Sequence, residues 1–187
     1  MRVIMDLLMA GLPLFYGVVT VNYILYFMRR DGFVSRICTP SLVGVVFLHL
    51  LFILLRASFY QRHPLGSLPE ALSVIAFAIG AIYIYVEQIQ KNKSTGAFIL
   101  PMVVMLQLAA STLMPHNVFE QPGSSVLLRN PLFGLHTVVA VIGYSAFAVG
   151  AVYSVMYLLL YRALKIKSFG LIFERLPSLD VLARMVF

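Results

Sequence analysis

Charge is scarce in this sequence. Asp, Glu, Lys and Arg make up 11% of its 187 residues, where a soluble domain carries about a quarter. Apolar residues take up 61% of the chain, against about half in a soluble protein. Cysteine occurs once, at Cys38. It can form no internal disulfide and gives no metal-ligand spacing, so near a loop end it reads as a small residue that tolerates apolar surroundings. A Cys-x-x-Cys pair, a Ser-His-Asp set, a carboxylate cluster and a Gly-rich phosphate loop are all missing. The apparatus of an ordinary hydrolase or nucleotide enzyme is therefore absent from the sequence, and we expect no turnover chemistry.

What is there instead is a series of apolar blocks. They run about Met5–Met28, Pro40–Phe59, Pro69–Gln88, Gly96–Met114 and Pro131–Tyr161. A bilayer-spanning helix needs about 20 mostly apolar residues, which these blocks supply. They are continuous rather than alternating, which excludes barrel strands. In lipid the backbone must satisfy its own hydrogen bonds, and a helix does so. The expected fold class is therefore all-α: a polytopic membrane helix bundle with about five transmembrane helices, a single membrane domain over residues 1–187 and a tail at 162–187. The first block is too long for a signal peptide, is followed at once by Arg29 and Arg30, and lacks a small-x-small cleavage site. It reads as a retained span.

The net charge of +7 does not point to nucleic acid, because the basic residues sit in short loops where they serve orientation. Arg29, Arg30, Arg36, Lys91, Lys93, Arg162, Lys165, Lys167, Arg175 and Arg184 fall on one side. Only Arg2, Arg56, Arg62 and Arg129 fall on the other. The positive-inside rule then predicts the N-terminus outside and the tail in the cytoplasm. Two outer loops follow, Tyr60–Leu68 and Pro115–Asn130. In the tail, Pro177 and Ser178 predict a helix start. Leu179, Leu182, Met185 and Val186 share a face of that helix, which is expected along the inner membrane surface.

Polar residues at membrane depth are rare and often functional. His49, in VVFLHLLFILL, sits near the middle of the second span. Its imidazole needs either a hydrogen bond to a neighbouring helix or a haem or quinone contact. His136 opens the fifth span, on a face with Val139, Ala140, Gly143 and Phe147. It reads as a headgroup-level polar residue or as a site where a flat group approaches. His63 and His116 lie in the outer loops, where each alone reads as a solvated residue. Three histidines thus gather on the outer side, and two histidines can clamp a haem iron between them. Glu70, after Pro69, reads as a helix start or as a partner for Arg56, Arg62 or His63. Ala146, Gly150 and Ser154 form a small-xxx-small stripe suited to close helix packing. Tyr16, Tyr23 and Tyr26 read as packing or interfacial aromatics. Gln107 and Asn22 add little more, which weighs against a transporter or channel subunit.

Two segments resemble a known family. HPLGSLPEALSVIAFAIGAIYIYVE, His63–Glu87, is similar to the outer-loop-to-helix region of the cytochrome c assembly family, the CcsA, CcmC and HemX-like integral membrane proteins. LHTVVAVIGYSAFAVGAVYSVMYLLLYRALKIKSFGLIFERLPSLDVLARM, Leu135–Met185, resembles that family's histidine-led helix with its Gly-Tyr pair, basic exit and RLPSLDVL-like tail. The HemX-like branch is the nearest. The resemblance implies haem as cofactor, handled at the outer face of a bacterial cytoplasmic (inner) membrane for attachment to apocytochrome c. It implies His136 at the position of an outer haem-ligating histidine, and His49 at an intramembrane histidine of the HemX-like branch. The alternative that it implies is a HemX-like regulatory or scaffold protein linked to haem biosynthesis. Family members continue into a tryptophan-rich module, and this chain has no tryptophan. It is thus expected to be part of a longer member or a short form. Its expected partners are the lipid bilayer and other cytochrome c assembly proteins, or a chain that supplies the module.

Overall fold

The computed structural model describes residues 2–61, 63–113, 130–167 and 170–185. The described residues are helical with no strand. The helices are α1 (Arg2–Arg29), α2 (Gly32–Tyr60), α3 (Leu68–Gln90), α4 (Gly96–Leu113), α5 (Pro131–Lys165), α6 (Leu171–Arg175) and α7 (Leu179–Arg184). The first five are long and apolar enough to cross a membrane, as the apolar blocks predict. The chain is a multi-pass membrane protein.

One boundary differs from the sequence reading. The apolar block starts at Pro40, but α2 starts at Gly32. Asp31 caps it, its side chain accepting from the Phe33 N–H at 3.0 Å, which satisfies one of the orphan donors of a helix start. Pro40 then lies inside the helix and removes one backbone hydrogen bond. The helix continues through it because Cys38 and Leu42 are fully buried on either side. Cys38 is therefore a core residue in a helix, not a residue near a loop end.

The start of α3 follows its sequence signals. Ser67 is the N-cap, Pro69 occupies the first turn, and Glu70 follows. At the far end a different device recurs. α1 and α3 are each followed by a cationic residue in the left-handed region, Arg30 at φ 50° and Lys91 at φ 51°, and Lys167 at φ 54° lies just beyond α5. That conformation is unfavourable for a side-chain-bearing residue, but a cation beside the last carbonyls is favourable.

α1 packs against α2 and α4, and α3 packs against the same two helices, so α1 to α4 close a ring. α5 is added on the outside of α3. Leu12, Tyr16, Tyr23, Leu42, Ile99 and Leu100 fill the interior. Leu14, Phe47, Met105 and Phe147 point outward, exposed by 67–79%. In water such a surface would promote aggregation; in a bilayer it is the surface that lipid requires. α5 buries a stripe comprising Gly134, Val141, Ser145, Val149, Tyr153, Met156 and Leu160 and leaves its opposite side open. Its 35 residues span roughly 50 Å at 1.5 Å each.

The tail folds back onto the bundle. Arg30 Nη2 donates to the Glu174 carbonyl at 3.3 Å, and Arg175 Nη2 donates to the Met28 carbonyl at 3.4 Å. α7 starts after Ser178 as predicted, with Leu182 fully buried. The short α6 has no counterpart in the sequence reading.

Candidate functional site

Polar side chains inside the bundle gather in three layers. The layer nearest the α2–α3 loop is an ion pair. Arg56 Nε donates to Glu70 Oε1 at 3.1 Å, and Nη2 lies 3.0 Å from the same oxygen. Both side chains are almost completely buried. The other carboxylate oxygen accepts from the Gly66 N–H at 2.8 Å, which ties the loop to the helix start. The Arg56 guanidinium also lies 5.0 Å from the Tyr60 ring centre, a cation–π contact. Of the alternatives that the sequence left for Glu70, helix start and ion-pair partner are both realised.

The middle layer is a hydrogen-bonded chain through four helices. Tyr16 O–H lies 3.1 Å from His49 Nδ1, and His49 Nε2 lies 3.0 Å from Ser73 Oγ. Ser73 Oγ is 3.1 Å from Gln107 Oε1. Gln107 Nε2 is 3.5 Å from Ser111 Oγ, and Ser111 Oγ donates to the Met9 carbonyl at 2.8 Å. The last link fixes the direction of the bonds from Gln107 back to His49 Nε2. A carbonyl only accepts, so Ser111 spends its one proton on Met9 and must accept from the Gln107 amide. The Gln107 oxygen then accepts from Ser73, and Ser73 accepts from His49. His49 thereby carries a proton on Nε2, and a neutral ring accepts at Nδ1 from Tyr16. Both ring nitrogens are engaged and the residue is 0% exposed. The hydrogen-bonded alternative for His49 is the arrangement found here, and a haem or quinone contact would have to displace Tyr16 or Ser73.

The third layer lies toward the basic end. Glu87, 4% exposed, accepts from the Tyr23 hydroxyl at 2.6 Å and from the Thr39 hydroxyl at 2.5 Å. Tyr153 O–H lies 3.2 Å from both Gln90 Oε1 and Thr95 Oγ1. Lys93 Nζ donates to the Ser35 carbonyl at 2.5 Å. The Tyr23 and Tyr83 rings meet edge to face at 5.9 Å, close over Gly96.

The remaining histidines concern α5. The His63 ring packs against Gly134, where a methyl group would collide with it. His136 is exposed. It lies two residues beyond Gly134, and two residues turn a helix by roughly 200°. The fold therefore brings His63 to the buried side of α5 and leaves His136 on the open side, continuous with Val139 and Phe147. His116 and Arg62 fall outside the described residues. Among the described residues, no group of three or more His, Cys, Asp or Glu is arranged to hold a metal ion.

The sequence places Tyr16 and Tyr23 among packing or interfacial aromatics and does not single out Ser73 or Glu87. A signal for them existed. Glu70, Ser73, Gly80, Tyr83 and Glu87 recur on α3 at intervals of three, seven, three and four residues, which returns each to one helix face.

Comparison with known proteins gives consistent results. A family model described as "Cytochrome C assembly protein" matches residues 65–187. A "Cytochrome c biogenesis protein CcsA" from Heterosigma akashiwo is 28% identical over 107 residues, 57% of this chain and 33% of that protein. "Protein HemX" from Brevibacillus brevis is 25% identical over 167 residues, 89% of this chain and 60% of that protein. The CcsA of Porphyra purpurea is 25% identical over 99 residues, 53% of this chain and 31% of that protein. The matches thus span between about a third and three fifths of these relatives. No solved structure matches.

Proposed function

Because the chain belongs to the cytochrome c assembly protein family, we propose that it is a haem-handling membrane component of cytochrome c assembly. It would hold or pass haem at the outer face of a bacterial cytoplasmic membrane, with no turnover chemistry of its own. The observation that carries this reading is the situation of His136. Its ring is exposed on an apolar face of α5, and no hydrogen bond to it is found among the described residues. Val139, 62% exposed, and Phe147, 79% exposed, continue that face, with Ala140 and Gly143 between them.

These residues fit one side of a haem. A neutral imidazole is a common axial ligand of haem iron, and Ala140 and Gly143 leave room for a flat group. Haem held there would supply the iron and the macrocycle destined for the cytochrome. The chain itself supplies a nitrogen donor at His136 and an apolar wall below it. His63 packs against Gly134, roughly half a turn away on the other side of α5, so it supports the α5 start more readily than it shares the iron. The second ligand then comes from another assembly protein or from a chain carrying the tryptophan-rich module. His49, with both nitrogens engaged, has a structural role in this reading.

The test is spectral. The protein is purified alone and after co-expression with its genomic neighbours. A Soret band is expected in at least one preparation, and His136→Ala is expected to abolish it without changing the helical circular dichroism. Absence of the band from both preparations, or its survival in His136→Ala, overturns the proposal.

A second reading, a HemX-like regulatory or scaffold protein linked to haem biosynthesis, is favoured by one observation. The match to HemX covers 89% of this chain, whereas the CcsA match covers 57%. Its working surface would be the tail held to α1 by Arg30 and Arg175. Deleting residues 170–187 is then expected to abolish co-purification of a partner while leaving any Soret band intact. Unchanged co-purification would exclude the tail as that surface.

A further inference from the structure

The outer end of α5 is seated on one buried residue. Pro131 opens the helix, and Asn130 caps it, its side chain accepting from the Leu132 N–H at 2.9 Å. These local signals start a helix but leave its rotation and depth unset. Between Pro131 and Ala140, Gly134 alone is buried. The next buried position is Val141, roughly 10 Å further along at 1.5 Å per residue. What lies on Gly134 is the His63 ring. A Cβ at position 134 would come within 2.9 Å of the ring atoms Nε2, Cε1 and Cδ2, so only glycine lets the helix backbone approach this closely. The loop holds the ring from both sides. Gln61 follows α2 in the left-handed region and donates to the Ser58 carbonyl at 2.7 Å. On the other side, the Leu65 N–H donates to the His63 carbonyl at 2.9 Å, and the Gly66 N–H donates to Glu70, the buried partner of Arg56.

We propose that His63 is a positioning residue for His136. Its ring, held by the loop against Gly134, sets the rotation and depth of the first turns of α5, and so turns the His136 imidazole to the open side. Position 136 follows position 134 by roughly 200° around the helix, so whatever fixes Gly134 against the loop fixes where His136 points. A start one residue out of register would rotate the helix by roughly 100°, enough to take His136 off the open side. The Arg56–Glu70 pair belongs to the same device, because Glu70 holds the loop that carries the ring. His63 thus acts on the iron through His136 and not as its second ligand. That last step rests on the reading of His136 as the haem donor. The geometry does not, and it is measured without haem.

The experiment uses the full chain in detergent micelles with ¹⁵N-labelled histidine. It reads the ring resonances of His136 and the amide exchange of residues 134–140. His63→Ala and Gly134→Ala are each expected to shift the His136 resonances and to speed that exchange by about tenfold, the lower end of what overpacking or a lost core contact costs. In the His63→Ala background Gly134→Ala is expected to add nothing, because the ring it would collide with is gone. Gly150→Ala, with nothing within 4 Å of its new methyl group, is expected to change neither readout. Additive effects of the two substitutions, or His136 resonances that neither moves, overturn the proposal. A measurement in the unaltered protein does not depend on the folding of any variant: cross-relaxation between the His63 ring protons and the Gly134 α-protons is expected, and its absence overturns the proposal as well. With haem, His63→Ala is expected to keep the Soret band and to shift its maximum, and added imidazole is expected not to reverse the shift. A band that is lost in His63→Ala and restored by imidazole would make His63 a ligand and overturn the proposal. A protein with no Soret band in any preparation overturns the haem reading alone, and the resonances and exchange rates still decide the positioning role.

Discussion

Arg56→Met is expected to destabilise the protein by about 3–5 kcal/mol, the usual consequence of removing one partner of a buried ion pair. Glu70 is nearly inaccessible, so its charge cannot recover in solvent what it loses from the guanidinium. The same substitution removes the cation from beside Tyr60. Glu70→Leu is expected to be as damaging, since it also releases the Gly66 N–H and with it the loop before α3. The informative variant is the double one. Apolar side chains of similar volume often replace a buried pair with little loss, so Arg56→Met combined with Glu70→Leu is expected to recover most of the stability. What stays lost is the loop hydrogen bond, about 1 kcal/mol. The measurement is thermal unfolding followed by circular dichroism in detergent, because the chain has no tryptophan to report by fluorescence. Single variants within about 0.5 kcal/mol of the parent, the range of ordinary surface substitutions, would mean that the pair is not closed as described.

Gly96→Ala is the second large effect. Its new methyl group would overlap the Tyr23 ring and the Tyr83 hydroxyl, on two side chains that are both 0% exposed. Overpacking of this kind costs about 1–3 kcal/mol. A further 1–3 kcal/mol follows if Tyr23 swings away, because Glu87 then loses a donor in the interior. Gly143 and Gly150 provide the contrast. Nothing lies within 4 Å of a methyl group built at either position. Alanine there is expected to be neutral, or to stabilise by up to about 1 kcal/mol through helix propensity. If all three substitutions behaved alike, the close approach of α4 to the two tyrosines would be wrong.

The two effects arise in layers that were unequally legible in the sequence. Arg56 and Glu70 stand out because charge inside or beside an apolar block is conspicuous, and their pairing is among the alternatives that the sequence offers. Gly96 carried no such mark. Glycine at the start of an apolar block reads as a boundary, and only the rings folded over it reveal why no side chain fits. His49 was recognised as a residue in need of a partner. The identity of that partner was out of reach, because Tyr16 is 33 residues away and Ser73 is 24. His136 was recognised from its position at the head of a span. Whether it faced the bundle or the lipid depended on how α5 is rotated about its axis.

The sequence by itself determined that this protein crosses a membrane as helices, how many apolar helices it has, and roughly where each lies. The reason is local: a backbone in hydrocarbon must close its own hydrogen bonds, and a run of about 20 apolar residues does so only as a helix. The tertiary structure alone decided which polar side chains meet. That choice is set by the rotation and depth of each helix against its neighbours, which depends on how side chains from distant segments pack. It joined Tyr23 to Glu87 across 64 residues, closed both nitrogens of His49, and left the imidazole of His136 open to its surroundings.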